Sequence, residues 1–293
     1  MSTYSDAIST LPQSPVFTNL SRPGPVEPIE AGEITINKAH NKTIALQKEA
    51  DIMSKNEEHS LRKTSKFNFT NDNIEWAKWT WNPIVGCLHN CPFCYARDIA
   101  TRFYGTFEPT FREERLVAPY KTTIPKNKID DPGIKNVFVC SMADLFGDWV
   151  PKEQIQKILD VCRDTPQWTY IFLTKNPKRY SEFSFPENSW VGATVDNQDR
   201  VERTYQGLLD CKAKVKFISC EPLRGPIELP DDMPVSWIII GGQSKSSGEP
   251  ARQPEWEWVE DLTKQARKLG AKVYWKPNLT VRPKEYPEEC FQI

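Results

Sequence analysis

Six short apolar runs constrain this chain more than any other feature: NVFVCSM (136–142), WTYIFLTKN (168–176), SWVGATVDN (189–197), KVKFISCEP (214–222), VSWIIIGGQS (235–244) and KVYWKPN (272–278). They are nearly continuous in Val, Ile, Phe and Trp rather than alternating, which suits strands covered on both faces. Helix patterns lie between them. In PKEQIQKILDVC, Ile155, Ile158, Leu159 and Cys162 fall on one stripe behind Pro151, a residue suited to a first helical turn. In PEWEWVEDLTKQARKLG, Val259, Leu262, Ala266 and Leu269 form a second stripe, opened by Pro254 and stopped by Gly270. RVERTYQGLLD is a weaker third. Strands separated by helices imply βα units and a parallel sheet. The expectation is therefore an α/β fold, a partial or full (β/α) barrel of about six to seven parallel strands. No GxGxxG follows the first run, which argues against a dinucleotide-binding sheet.

The remainder of the chain divides at about residue 70. Residues 1–70 are polar, punctuated by proline and then dense in charge, and the expectation is a mostly disordered arm that a protein or nucleic-acid partner could order. Residues 71–293 form the expected barrel domain with a C-terminal extension. The chain has 38 basic and 39 acidic side chains, so no global field draws in polyanions. It shows neither a membrane-spanning apolar run nor a signal peptide, and a cytoplasmic location is expected. In that compartment thiols stay reduced, and a tight cysteine cluster reads as metal or redox chemistry.

Such a cluster is present. Cys87, Cys91 and Cys94 form CxxxCxxC within eight positions, followed by a helical pattern, YARDIATRF. Three readings compete: reduced structural cysteines brought together by chance, a zinc site completed by His89 or Cys220, and an iron–sulfur cubane. Structural zinc usually takes a second distant pair, and no second CxxC exists here. Three thiolates suffice for a [4Fe-4S] cluster if one iron keeps an open position, whereas an electron-transfer cluster normally has four. Gly86 and Pro92 supply the tight turns a wrapping loop needs. Tyr95, Ile99 and Phe103 fall on one helical face, which reads as packing.

CxxxCxxC with Phe93 before the last cysteine, at the start of a (β/α) barrel, resembles the radical S-adenosylmethionine superfamily. Within it, TWNPIVGC, FVCSMADLFGDWVP, FLTKNPKRY, SCEPL, IIGGQS and WKPN resemble a phage-associated three-Cys-motif family, over roughly residues 75–285. The resemblance implies a [4Fe-4S] cluster on the three cysteines, S-adenosylmethionine on its open iron, and an external low-potential electron donor. It implies reductive cleavage of that cofactor and radical modification or repair of a substrate such as a nucleotide, nucleic acid or peptide.

In such a barrel the site lies at the C-terminal ends of the strands. The candidates for the cofactor are Phe93, Ser141, Asp144, Asp196, Asn197, Glu221, Gly241, Gly242, Gln243 and Ser244. Asp144 or Glu221 would meet an amine or ribose, and the glycines would admit a close backbone approach. Lys175 and Lys276 are candidates for an anionic substrate or the cofactor carboxylate. The superfamily's Gly-Gly-Glu after its second strand is SMAD here, which leaves the amine ligand open. Cys140 and Cys220, also at strand ends, read as packing. The segment from Gly105 to Pro132 reads as a long loop shaping the substrate mouth. The rival reading is a non-catalytic metal- or Fe–S-binding interaction or regulatory protein.

Overall fold

The computed structural model describes residues 66–70, 74 and 76–281. Most of the expected arm, and the end of the expected extension, lie outside the described residues.

All six apolar runs form strands: β5 (Asn136–Val139), β6 (Thr169–Thr174), β7 (Ser189–Thr194), β8 (Val215–Cys220), β9 (Trp237–Ile240) and β10 (Lys272–Trp275). Ahead of them lie β1 (Asn68–Phe69), β2 (Trp79–Trp81), β3 (Ile84–Val85) and β4 (Thr110–Phe111). One eight-stranded sheet runs β1-β2-β5-β6-β7-β8-β9-β10, with β1 antiparallel to β2 and every other pairing parallel. The strand order follows the chain without reversal, as in a singly wound barrel. Among the described residues, β1 and β10 each pair on one side only, so the barrel is partial.

Asn68 and Phe69 lie in the stretch expected to be disordered, yet they pair with Thr80 and Trp79. Phe67, 6% exposed, packs within 6.2 Å of Trp79 and Trp81 and 5.0 Å of Trp168 (ring centroids), so burial of one aromatic ring brings these residues into the fold.

The crossover helices are α1 (Tyr95–Tyr104), α2 (Lys152–Asp164), α3 (Val201–Leu209) and α4 (Trp256–Lys268). The expected stripes of α2 and α4 are buried against one face of the sheet, with Val137, Val139, Phe172, Val191, Ile218 and Ile240. The alternate strand residues Phe138, Ile171, Phe217 and Ile239 make a second, smaller cluster on the other, inner face, with Leu173, Trp190, Trp237 and Tyr274 packed against it. These rings fill the barrel's floor and leave its C-terminal end to polar groups. Gly192 is part of that filling: a Cβ there would meet three ring atoms of Phe217 at 2.5 Å. Gly192→Val is expected to destabilise the fold by about 1–3 kcal/mol through overpacking. A urea midpoint equal to that of the wild type would contradict this account of the floor.

The segment after Gly105 is not one long loop: Phe107 O accepts from Cys87 N at 3.2 Å, beside the cysteine loop, and regular structure follows. It holds β4, paired to β3, and then turns of helix over Glu113–Val117 and Ala118–Lys121. Trp81 Nε1 donates to Arg115 O at 2.8 Å and Trp168 Nε1 to Pro119 O at 3.0 Å, which holds this segment against the sheet's buried tryptophans. Among the described residues, no helix is long and apolar enough to cross a membrane.

Candidate metal and cofactor site

The cysteine loop joins β3 to α1, and three anchors hold it at the C-terminal end of the barrel. At its start Gly86 has φ +85°, a region open to glycine at little cost, and a Cβ there would lie 2.2 Å from Glu108 O. Gly86 N donates to Met142 O at 3.0 Å, tying the loop to the end of β5. At its end Cys94 caps α1, its Sγ accepting from Arg97 N at 3.4 Å. In the middle, His89 Nε2 lies 2.7 Å from Asp144 Oδ2, and its ring meets the Trp149 ring edge-on at 4.9 Å.

Asp144 is the centre of the third anchor. It is 5% exposed. Oδ1 accepts from Phe146 N at 3.0 Å and Thr174 Oγ1 at 2.6 Å, and Oδ2 accepts from Lys175 N at 2.8 Å. Burial raises its pKa, but His89 and these donors outweigh it and hold the carboxyl below the usual range. With both oxygens engaged, Asp144 fastens the loop to the ends of β5 and β6 and has no oxygen left over for a ligand. His89 gives its Nε2 to this contact.

The three thiols are free and half-buried. Burial is the main cause that pushes Cys87 up to about 11, with the Asp144, Cys91 and Cys94 charges adding to it. Burial also raises Cys91, against the opposing pull of Lys175 and Arg200. Thiols this reluctant to ionise become ligands when a metal displaces the proton. Among the described residues no three His, Cys, Asp or Glu side chains are drawn together closely enough to hold an ion as they stand. The donor chemistry nevertheless fits an iron–sulfur group: three sulfurs, one loop, a helix N-terminus and no disulfide.

Cys140 and Cys220 are 3% and 0% exposed in the helix-side core, and burial pushes Cys140 up to about 12. Both are packing residues, and Cys220 is on the wrong face of β8 to reach the loop.

Above the aromatic floor the inner face turns polar. Lys276 Nζ pairs with Glu221 Oε2 at 2.5 Å, and Ser219 Oγ donates to Glu221 Oε1 at 3.0 Å. A Cβ on Gly241 would meet Lys276 Cδ at 3.0 Å, Asn278 Oδ1 at 3.2 Å and Glu221 Cγ at 3.4 Å, so the ends of β8, β9 and β10 converge on one point. Asn278 donates from Nδ2 to Gly242 O at 2.8 Å and Ser244 Oγ at 3.2 Å, while its buried Oδ1 has no partner. An orphaned acceptor beside a carboxylate suits a ligand that brings hydrogen-bond donors. Asn197 Oδ1, after β7, is likewise buried and unpartnered.

On the other side of the mouth, Lys175 Nζ lies 3.4 Å from Thr194 Oγ1, and Asp196, 2% exposed, takes a close hydrogen bond from Arg200 Nε. Phe93 lies under the Arg224 guanidinium, 5.4 Å from its ring centroid. Gln243 is spent on structure: its backbone pairs with Arg252 and its Nε2 donates to Pro250 O at 2.7 Å. A Cβ on Gly242 would sit 2.7 Å from Gln253 Nε2 and 3.1 Å from Asn278 O, so the Gln253 side chain would have to shift. Ser141 Oγ donates to Asn82 Oδ1 at 3.2 Å, and its carbonyl accepts from Tyr95 Oη at 2.7 Å.

The apolar stripe of α1 is not packed. Tyr95, Ile99 and Phe103 are 46%, 41% and 68% exposed, and it is Ala96 and Ala100 that are buried. Two alanines one turn apart let the helix lie close to its neighbours, which leaves the larger side chains outside. Sequence reasoning also passed over Asn82, Thr194, Ser219 and Arg224. Of these, Ser219 carried a signal, the inward register of β8, two residues before Glu221.

No curated protein matches the chain. Among solved structures it is similar to a spore photoproduct lyase mutant with bound AdoMet and dinucleoside spore photoproduct, at 14% identity and TM-score 0.46 over 73% of this chain and 59% of that one. It is also similar to another spore photoproduct lyase mutant, at 13% and 0.49 over 72% and 79%. A third likeness is to a radical SAM methyltransferase from Sphaerobacter thermophilus, at 12% and 0.43 over 73% and 70%. This chain thus spans 59% of the first of these proteins. Residues 71–285 match the profile of the family described as "Protein of unknown function (DUF5131)", and the chain belongs to that family.

Proposed function

We propose that this chain is a radical S-adenosylmethionine enzyme, in which Cys87, Cys91 and Cys94 would hold a [4Fe-4S] cluster and the polar groups of the barrel mouth would hold the nucleoside cofactor. One observation carries the reading: a loop with three free thiols is clamped through His89 and Asp144 to the end of a partial barrel lined by polar groups. A cluster held by the three cysteines would supply the electron for reductive cleavage of the sulfonium cofactor. The chain's own residues do the positioning. Glu221 and the unpartnered Asn278 Oδ1 accept from amine or hydroxyl groups, and Gly241 opens the space beside them. Lys276 offers a cation for a carboxylate. The likeness of the sequence to the phage-associated three-Cys-motif family belongs to this reading, as does an external low-potential donor.

The test is anaerobic reconstitution with iron and sulfide, followed by metal analysis and chromatography for 5′-deoxyadenosine. About four irons per chain with cofactor cleavage are expected. One zinc per chain, no visible absorption and no cleavage would instead establish the non-catalytic metal-binding reading.

A further inference from the structure

The cysteine loop is also held from the β9 side. Between Gln243 and Arg252, whose backbones pair at 2.8 and 3.0 Å, the chain leaves the sheet as a strap, residues 244–251. Its foot stands at the mouth, where Ser244 Oγ accepts from Asn278 Nδ2 at 3.2 Å. Its tip reaches the stretch between Cys91 and Cys94 and the helix that follows. Ser246 Oγ donates to Pro92 O at 3.3 Å, and Gly248 approaches so closely that a Cβ there would lie 2.6 Å from the same oxygen. Ser247 N donates to Asp98 Oδ2 at 2.6 Å, and Ser247 Oγ makes a second close bond to Asp98 Oδ1. These two bonds hold the Asp98 carboxyl below its usual range.

The two sides of the loop are fastened differently. On the β5–β6 side the anchor is Asp144, buried and bonded through both oxygens. Cys87, at the start of the loop, is fixed by backbone bonds from Gly86 N to Met142 O and from its own N to Phe107 O. On the β9 side, residues 244–249 (SKSSGE) bring no apolar side chain, and Ser244, Lys245, Ser247 and Gly248 are exposed. A segment held by a few solvent-exposed hydrogen bonds opens locally at far lower free energy than one sealed in a core. The strap is the side that releases.

We propose that residues 244–251 are a releasable strap, latched by Asp98 and Ser247, that holds Cys91 and Cys94 in place at the barrel mouth and opens to admit the cofactor. Asp98 and Ser247 are then positioning residues. The admission of cofactor rests on the function proposed above, whereas the latch itself needs neither cluster nor cofactor.

The test therefore begins with the full chain, reduced and without iron. Mass spectrometry follows limited trypsin cleavage after Lys245 and, in separate samples, the rate at which iodoacetamide labels each loop cysteine. Asp98→Ala is expected to speed the Lys245 cut and the labelling of Cys91 and Cys94 by about fivefold to tenfold, because both follow the population of the open form. Labelling of Cys87 should not change. Gly248→Ala pushes the strap off Pro92 O without altering α1, so the same direction of change there separates the latch from any fault in the helix start. Asp261→Ala, which removes an exposed carboxylate on α4, leaves every rate as in the wild type. Unchanged rates in Asp98→Ala, or equal acceleration at all three cysteines, would overturn the latch. After anaerobic reconstitution, S-adenosylmethionine should slow the Lys245 cut in the wild type, and an unchanged cut in iron-loaded protein would overturn the strap's part in admitting the cofactor. Failure to take up iron would instead count against the function proposed above and leave the iron-free result standing.

Discussion

Cys91→Ala is expected to lose iron binding and 5′-deoxyadenosine formation altogether on anaerobic reconstitution, while Cys140→Ala and Cys220→Ala keep both. The loop carries three sulfurs, so removing one leaves two, too few to hold a cubane against competing thiols in solution. Cys220 cannot replace it, because it is fully buried on the opposite face of the sheet. Cys94 offers a useful contrast, because its sulfur also caps α1. Cys94→Ser retains a cap acceptor and so separates loss of the metal from loss of the helix start. Far-ultraviolet circular dichroism checks that each variant is folded, and iron and sulfide are counted on the same samples. Full iron in Cys91→Ala, or its disappearance in Cys220→Ala, would mean that the ligands are a different set.

The six apolar runs could be read directly because strands buried on both faces need unbroken Val, Ile and Phe, and that signal is local. What stayed hidden depended on partners far along the chain. β2 is only three residues long, and its tryptophans become core residues through Phe67 and Trp168, so nothing within TWNP announces a strand. The segment after Gly105 has no helical or strand period, yet side-chain bonds from Trp81 and Trp168 settle it on the sheet. At the site, sequence supplied residue types but not their occupancy. Asp144 and Glu221 are equally plausible carboxylates at strand ends. One is sealed beneath His89, Thr174 and two backbone N–H groups, and the other lines the mouth with a lysine. Gln243 is similar, its amide closing a turn with Pro250 that no spacing rule would reveal.

Asp144→Ala should be the most destabilising single change at the site, by about 3–5 kcal/mol, because it strips a buried, fully hydrogen-bonded charge from its partners. It leaves Thr174 Oγ1, Phe146 N, Lys175 N and His89 Nε2 without their acceptor, the first two of them buried away from water. Asp148→Ala, whose carboxylate is 67% exposed beside Lys178, should change stability by less than about 0.5 kcal/mol and serves as the control. Asp144→Asn keeps the shape and one oxygen, so it falls between the two. The pH dependence then has a definite sign. The Asp144 pKa is depressed in the fold, so its ionised form adds stability above the unfolded carboxyl value of about 3.9, and that stability is lost as pH falls through the folded value. Urea midpoints of the wild type and Asp144→Asn should therefore differ most near neutral pH and converge in acid. In the iron-loaded state both variants should release metal faster than the wild type, since the loop between Cys87 and Cys91 has lost the anchor that fixes its height above the barrel. Equal midpoints at neutral pH would show that Asp144 does not bear the loop, and would put the placement of all three sulfurs in question.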